Sequence, residues 1–123
     1  MNLIDSSGWL EYFSDGPNAI QYVEPLENLD ELIVPTICLF EVFKVILRER
    51  DEDSAIQAIA VMKQAMIVEL TQDIALQAAK MSLDLKLPMA DSIILATATK
   101  YEAIVWTQDA DFQGKPFVKY FAK

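Results

Sequence analysis

Short apolar runs alternate along this chain with longer stretches of helical periodicity, and that alternation restricts the fold more than any other feature. The runs cover residues 1–4, 32–34, 66–70 and 103–106, and residues 117–121 read as a last short edge strand. Between them, helical patterns are expected around 9–13 and 19–23, over 36–50, 54–65 and 71–85, and from Pro88 to about Lys100. Pro17 suits a helix start, Thr36 and Thr71 stand at cap positions, and Asp51-Glu52-Asp53 place three acids at the positive end of a helix dipole. Strands alternating with helices give an α/β domain with a mainly parallel sheet. Short strands without polar alternation suit a sheet covered on both faces, a three-layer α/β/α sandwich of four to five strands. Right-handed crossovers then bring every strand-to-helix junction to one edge of the sheet, the carboxyl edge, where ligands bind in open α/β sheets.

The chain's 123 residues fit one domain, 1–123, with no repeat and no linker-like segment. Its composition, 53 % apolar and 24 % charged, is that of a globular protein. There is no histidine. That removes Ser-His-Asp triads, Cys-His dyads and His-ligated zinc, and leaves carboxylates, hydroxyls, lysines or a bound ion to carry any catalysis. The single cysteine, Cys38, lies in an apolar run, so a buried thiol is expected, in keeping with a cytoplasmic location. No signal peptide or apolar run long enough for a membrane span is visible, so no membrane partner is expected. A net charge of −9 argues against broad adhesion to nucleic acid or anionic lipid, without excluding a local basic patch.

The positions of four acids follow from the topology. Asp5 ends the first strand and Asp109 follows the fourth. Glu41 sits early in the helix after the second strand, and Asp91 opens the helix before the fourth. All four are therefore expected to converge at the carboxyl edge. Each has a plainer role available: Asp5 as a turn former, Asp91 as a partner of the helix dipole, Glu41 as a partner of Lys44, Asp109 and Asp111 as solvated loop acids. The surroundings favour function, because Glu41 and Asp91 interrupt apolar helical sequence, where an acid is costly unless paired or bound to a cation. Converging carboxylates repel one another, and a divalent ion removes the conflict. An all-oxygen set selects Mg²⁺ or Mn²⁺, and such a site suits hydrolysis of a phosphodiester by an activated water. Lys44 and Arg48 share a helical stripe with Glu41 and are candidates to hold a phosphate, or simply a solvated face.

A phosphoacceptor receiver domain is the competing α/β reading, with Thr107 and Lys115-Pro116 in its favour. It lacks an acid pair after the first strand, since Ser6 follows Asp5, and an acceptor Asp after the third.

The segments Ile4-Asp5-Ser6-Ser7, Pro35-Thr36 through Glu41-Val42, Leu87 through Ala98 and Trp106-Thr107-Gln108-Asp109-Ala110-Asp111-Phe112 occur in an order that resembles the PIN-domain toxins of the VapC type. The resemblance implies a PIN fold and a Mg²⁺- or Mn²⁺-dependent endoribonuclease, homodimeric and silenced by an antitoxin protein. It implies that Asp5, Glu41, Asp91 and Asp109 are metal-binding and catalytic acids, supported by Ser6, Thr107 and Asp111. The spacing Thr107-x-Asp109-x-Asp111-Phe112 is a residue shorter than the pattern of many relatives, which leaves open which of Asp109 and Asp111 reaches the ion; Asp109 is favoured. A non-catalytic PIN module that binds RNA or protein is the alternative.

The expected helix 71–85 carries two apolar stripes, Ile74-Ala78-Met81-Leu85 and Leu76-Ala79-Leu83, on nearly opposite sides. A helix sandwiched within the fold is the first reading, and contact with a second chain is the alternative.

Overall fold

A computed structural model describes residues 1–123. The strands are β1 (Asn2–Ile4), β2 (Leu32–Pro35), β3 (Met66–Val68), β4 (Ile104–Thr107) and β5 (Val118–Tyr120). They form one sheet in the order β3-β2-β1-β4-β5, with every neighbouring pair parallel. The helices are α1 (Ser6–Phe13), α2 (Val23–Leu26), α3 (Thr36–Glu49), α4 (Glu52–Met62), α5 (Gln72–Leu85) and α6 (Met89–Lys100). The chain moves outward from β1 to β3, then crosses back to β4. Right-handed crossovers put α3 and α4 on one face and α5 and α6 on the other, which matches the packing of α3 on α4 and of α5 on α6. The strand order reverses between β1 and β4, so the crevice of the sheet opens beyond Ile4 and Thr107.

The central strands are buried throughout: Leu3, Ile4, Ile33, Val34 and Val105 have no exposed surface. Cys38 is equally buried on the inner side of α3, and burial pushes its thiol well above the ordinary range. No helix is long and apolar enough to cross a membrane.

Several element ends differ from the sequence reading, each for a local reason. α1 begins at Ser6 rather than near Trp9, because Asp5 caps it by accepting from the Gly8 amide. The segment after Pro17 is a 3₁₀ turn over Ala19–Tyr22 that runs into α2. Thr36 is the first helical residue of α3 and not its cap; Pro35, extended at φ −63° and ψ 143°, holds that position and offers no side-chain bond. α4 starts at Glu52, capped by Asp51 through the Ser54 amide, and ends at Met62. β3 stops at Val68 because its partner strand ends at Pro35, which pairs with Val68. Thr71 does hold the N-cap position of α5, but its hydroxyl bonds the Asp73 carboxylate rather than a backbone amide. The outer stripe of α5 is not sandwiched: Leu76 is 69 % and Leu83 83 % exposed.

Candidate metal centre

Asp5 anchors the carboxyl edge. It follows the central strand directly, and its carboxylate is the N-cap of α1. One oxygen accepts from the Gly8 amide at 2.9 Å and from the Ser7 hydroxyl at 2.7 Å. The other accepts from the Thr107 hydroxyl at 2.6 Å, tying β1 to β4. Asp5 is only 2 % exposed, and burial pushes its carboxyl up to about 6 against the three hydrogen bonds that favour the charge. The nearby Asp109 charge pushes in the same direction.

The other acids arrive from three further elements. Glu41 lies two turns into α3, and the Ser6 hydroxyl donates to its Oε1 at 2.6 Å. Asp91 is in the first turn of α6. Asp109 follows β4, its amide donating to the Thr107 hydroxyl at 2.9 Å. The Asp109 carboxylate in turn caps the 3₁₀ turn Ala110–Phe112 by accepting from the Asp111 amide at 2.9 Å. This turn folds Asp111 back, so that carboxylate oxygens of Asp91, Asp109 and Asp111 lie within 4.8 Å of one another.

The crowding has a large electrostatic effect. The Asp91 carboxyl is pushed up to about 8, first by burial, then by the charge of Asp109, by its hydrogen bond with Asp111, and by the charges of Asp111 and Asp5. The donor set fits a hard divalent cation: it is wholly carboxylate oxygen, and a cation would offset both the burial and the mutual repulsion that push Asp91 up.

The arrangement brings together Asp5, Ser6, Glu41, Asp91, Thr107, Asp109 and Asp111 at one sheet edge. Asp109 and Asp111 both face Asp91. Lys44 and Arg48 make no hydrogen bond or ion pair with these acids: the Lys44 ammonium lies over the Phe40 ring, 5.6 Å from its centroid, and Arg48 pairs with Glu49 at 3.3 Å. Sequence reading missed Ser7, whose hydroxyl donates to Asp5 and accepts from the Gln108 amide at 3.2 Å. A Ser two residues after an N-cap Asp is the available signal. It also missed Glu11 and Gln108, neighbours of the site with no recognisable spacing.

The family model for PIN domains matches residues 3–118. No curated protein matches the sequence. Among solved structures, a toxin-antitoxin complex from Klebsiella pneumoniae superposes with a TM-score of 0.85 at 25 % identity, covering 100 % of both chains. VapC20 of Mycobacterium tuberculosis, a toxin that cleaves the sarcin-ricin loop, gives a TM-score of 0.79 at 17 % identity, covering 96 % of this chain and 97 % of that one. A DNA-bound VapBC from Salmonella typhimurium gives 0.78 at 14 % identity, covering 99 % and 98 %. With nearly its whole length matched by the family model and its fold shared with these toxin structures, the chain belongs to the PIN domain family.

Proposed function

We propose that this single domain is a metal-dependent endoribonuclease, the toxin of a VapBC-type pair acting in the cytoplasm. The observation that carries the reading is the set of Asp91, Asp109 and Asp111, with ligand oxygens within 4.8 Å of one another beside the buried Asp5, in a PIN fold. Asp91, Asp109 and Asp111 would hold Mg²⁺ or Mn²⁺, with Asp5 and Glu41 completing the site. A hard cation in such a set supplies charge for a phosphoryl oxygen and an activated water. The chain's own contribution is orientation. Thr107, Ser7 and the Gly8 amide fix both oxygens of Asp5, and Ser6 fixes Glu41 by one oxygen, leaving the other without a partner.

The test is cleavage of structured RNA with Mg²⁺ or Mn²⁺. Asp5→Asn is expected to lower the rate by at least about a hundredfold, since the fixed carboxylate is removed while its shape is kept. Chelator should abolish cleavage. Cleavage that survives both changes defeats the proposal, and RNA binding without cleavage under any ion favours a non-catalytic module.

Two partners belong to the same reading. The toxin–antitoxin structures that share the fold support an antitoxin. A cleft of about 610 Å³ between α1, α3 and α4, floored by Leu10, Phe13, Val45 and Ile46 and reaching Ser7 and Gln108, offers it an apolar bed next to the acids. A homodimer is supported by the exposed Leu76 and Leu83 on α5. Leu83→Glu should then shift the protein from dimer to monomer in light scattering; a dimer of unchanged dissociation constant rules that face out.

A further inference from the structure

Gln108 lies between the two residues that organise the acids beyond β4. On one side Thr107 bonds Asp5, and on the other Asp109 faces Asp91. Its own side chain turns away from the acids and is nearly buried, at 8 % exposure. There the amide oxygen accepts from Asn18 Nδ2 at 3.1 Å, and the amide nitrogen donates to Glu11 Oε1 at 3.4 Å. Glu11 closes the triangle, its second oxygen accepting from the Asn18 backbone amide at 2.7 Å. Gly16 provides the space: a Cβ there would overlap the Glu11 carboxylate. Asn18 Nδ2 also donates to the Ala122 carbonyl at 3.1 Å, so the segment after β5 is bound into the same knot.

None of these three side chains bonds an acid of the metal centre, yet they hold the peptide that carries one. Gln108 is pinned at its backbone by Ser7 and at its side chain by Glu11 and Asn18. Asp109 begins at the next atom of the chain. We propose that Glu11, Asn18 and Gln108 form a clamp that sets the position of Asp109, and through its 3₁₀ turn that of Asp111, toward Asp91. They are positioning residues for the ion site, and the inference rests on reading Asp91, Asp109 and Asp111 as that site.

A buried hydrogen-bond triangle also contributes to stability, so the test separates the two roles. The probe is Mn²⁺, with binding followed by the loss of the free-ion EPR signal in the full chain without RNA. Gln108→Ala removes the clamp without changing charge. Gly16→Ala keeps every clamp side chain chemically intact but displaces the Glu11 carboxylate. Each should weaken Mn²⁺ binding by about tenfold, the size of effect that outer-shell supports of metal ligands have. With RNA, kcat should fall by a similar factor while KM changes less than about twofold, because a misplaced ligand acts on the reacting geometry rather than on RNA docking. Glu11→Gln keeps one of the two acceptors and sets an amide donor against the other partner, so it should weaken Mn²⁺ binding, but less than Gln108→Ala does. Ile74→Val, a buried α5 position far from the clamp in the fold, supplies a comparable loss of stability and should bind Mn²⁺ like the wild type.

Wild-type affinity in both Gln108→Ala and Gly16→Ala overturns the clamp while leaving the ion site intact. A weakening equal to that of Ile74→Val overturns it as well, since the loss would then follow stability alone. Absence of Mn²⁺ binding by the wild type defeats the ion site itself, and the clamp's role with it.

Discussion

Asp91→Asn should abolish RNA cleavage and, in the same protein without divalent ions, raise the melting temperature at pH 8. The two effects share one cause. In the unfolded chain Asp91 ionises near 3.8; in the folded protein its carboxyl is pushed up to about 8. Between these values the folded state holds the extra proton, so stability falls as pH rises through the window. Asp5, pushed up to about 6, acts in the same direction between 3.8 and 6. Asp91 is partly buried, and the solvent that still reaches it brings its cost down to about 2 kcal/mol. For a chain of this length that corresponds to roughly 6–8 °C, regained in the amide variant at pH 8 and much smaller at pH 4, where the folded carboxyl keeps its proton and the unfolded one is only about half ionised. Asparagine also keeps a donor for Asp111. Saturating Mn²⁺ should reverse the ranking, because an ion at a hundred times its dissociation constant adds about 2.7 kcal/mol to the wild type and little to the variant. Differential scanning calorimetry at the two pH values, with and without Mn²⁺, reads all four cases. A variant less stable than wild type at pH 8 without ions contradicts the electrostatic account.

Gly8→Ala should be among the most damaging single-methyl changes in the chain. A Cβ at residue 8 would lie 2.5 Å from the Tyr22 ring and 2.7 Å from Ile4 Cγ2. Both neighbours have no exposed surface, so neither can swing into solvent. The Tyr22 ring is further held edge-on by Phe121 at 5.6 Å between centroids. Overpacking of this kind costs about 2–3 kcal/mol, which exceeds the roughly 1 kcal/mol gained from replacing a helical glycine. The melting temperature should drop by roughly 4–8 °C. Activity should fall further than stability alone requires, because the Gly8 amide is one of the three donors that fix Asp5. A variant with wild-type stability would mean that Tyr22 relaxes readily. Urea denaturation read by tyrosine and tryptophan fluorescence provides the measurement.

The convergence of Asp5, Glu41, Asp91 and Asp109 was legible because it follows from topology: a parallel sheet sends each strand end and each preceding helix start to the same edge. Asp111 was also a candidate, but that it and Asp109 both turn toward Asp91 was not legible. It depends on Asp109 capping its own 3₁₀ turn, a local hydrogen bond that spacing does not announce. Glu11 was hidden for a similar reason, since its partners lie 7 and 97 residues away and have neutral side chains or none in the contact. The two apolar sides of α5 were visible as periodicity, but periodicity cannot say which side meets the protein. Ile74 and Ala78 turned inward, while Leu76 and Leu83 face out. Thr36 looked like a cap because its residue type suits one. The fixed φ of Pro35 moved the helix start by a single position.

The reversal of strand order between β1 and β4 also governs when the protein becomes complete. Asp5 is drawn from the first strand of the domain, while the threonine that orients it comes 102 residues later and the last two acids after that. A chain interrupted anywhere before Thr107 has no assembled centre, whatever else of it has folded. A copy of this domain cut short before residue 107 therefore keeps Asp5 and Asp91 but lacks the groups they face, and any chemistry that needs the cluster is lost with them.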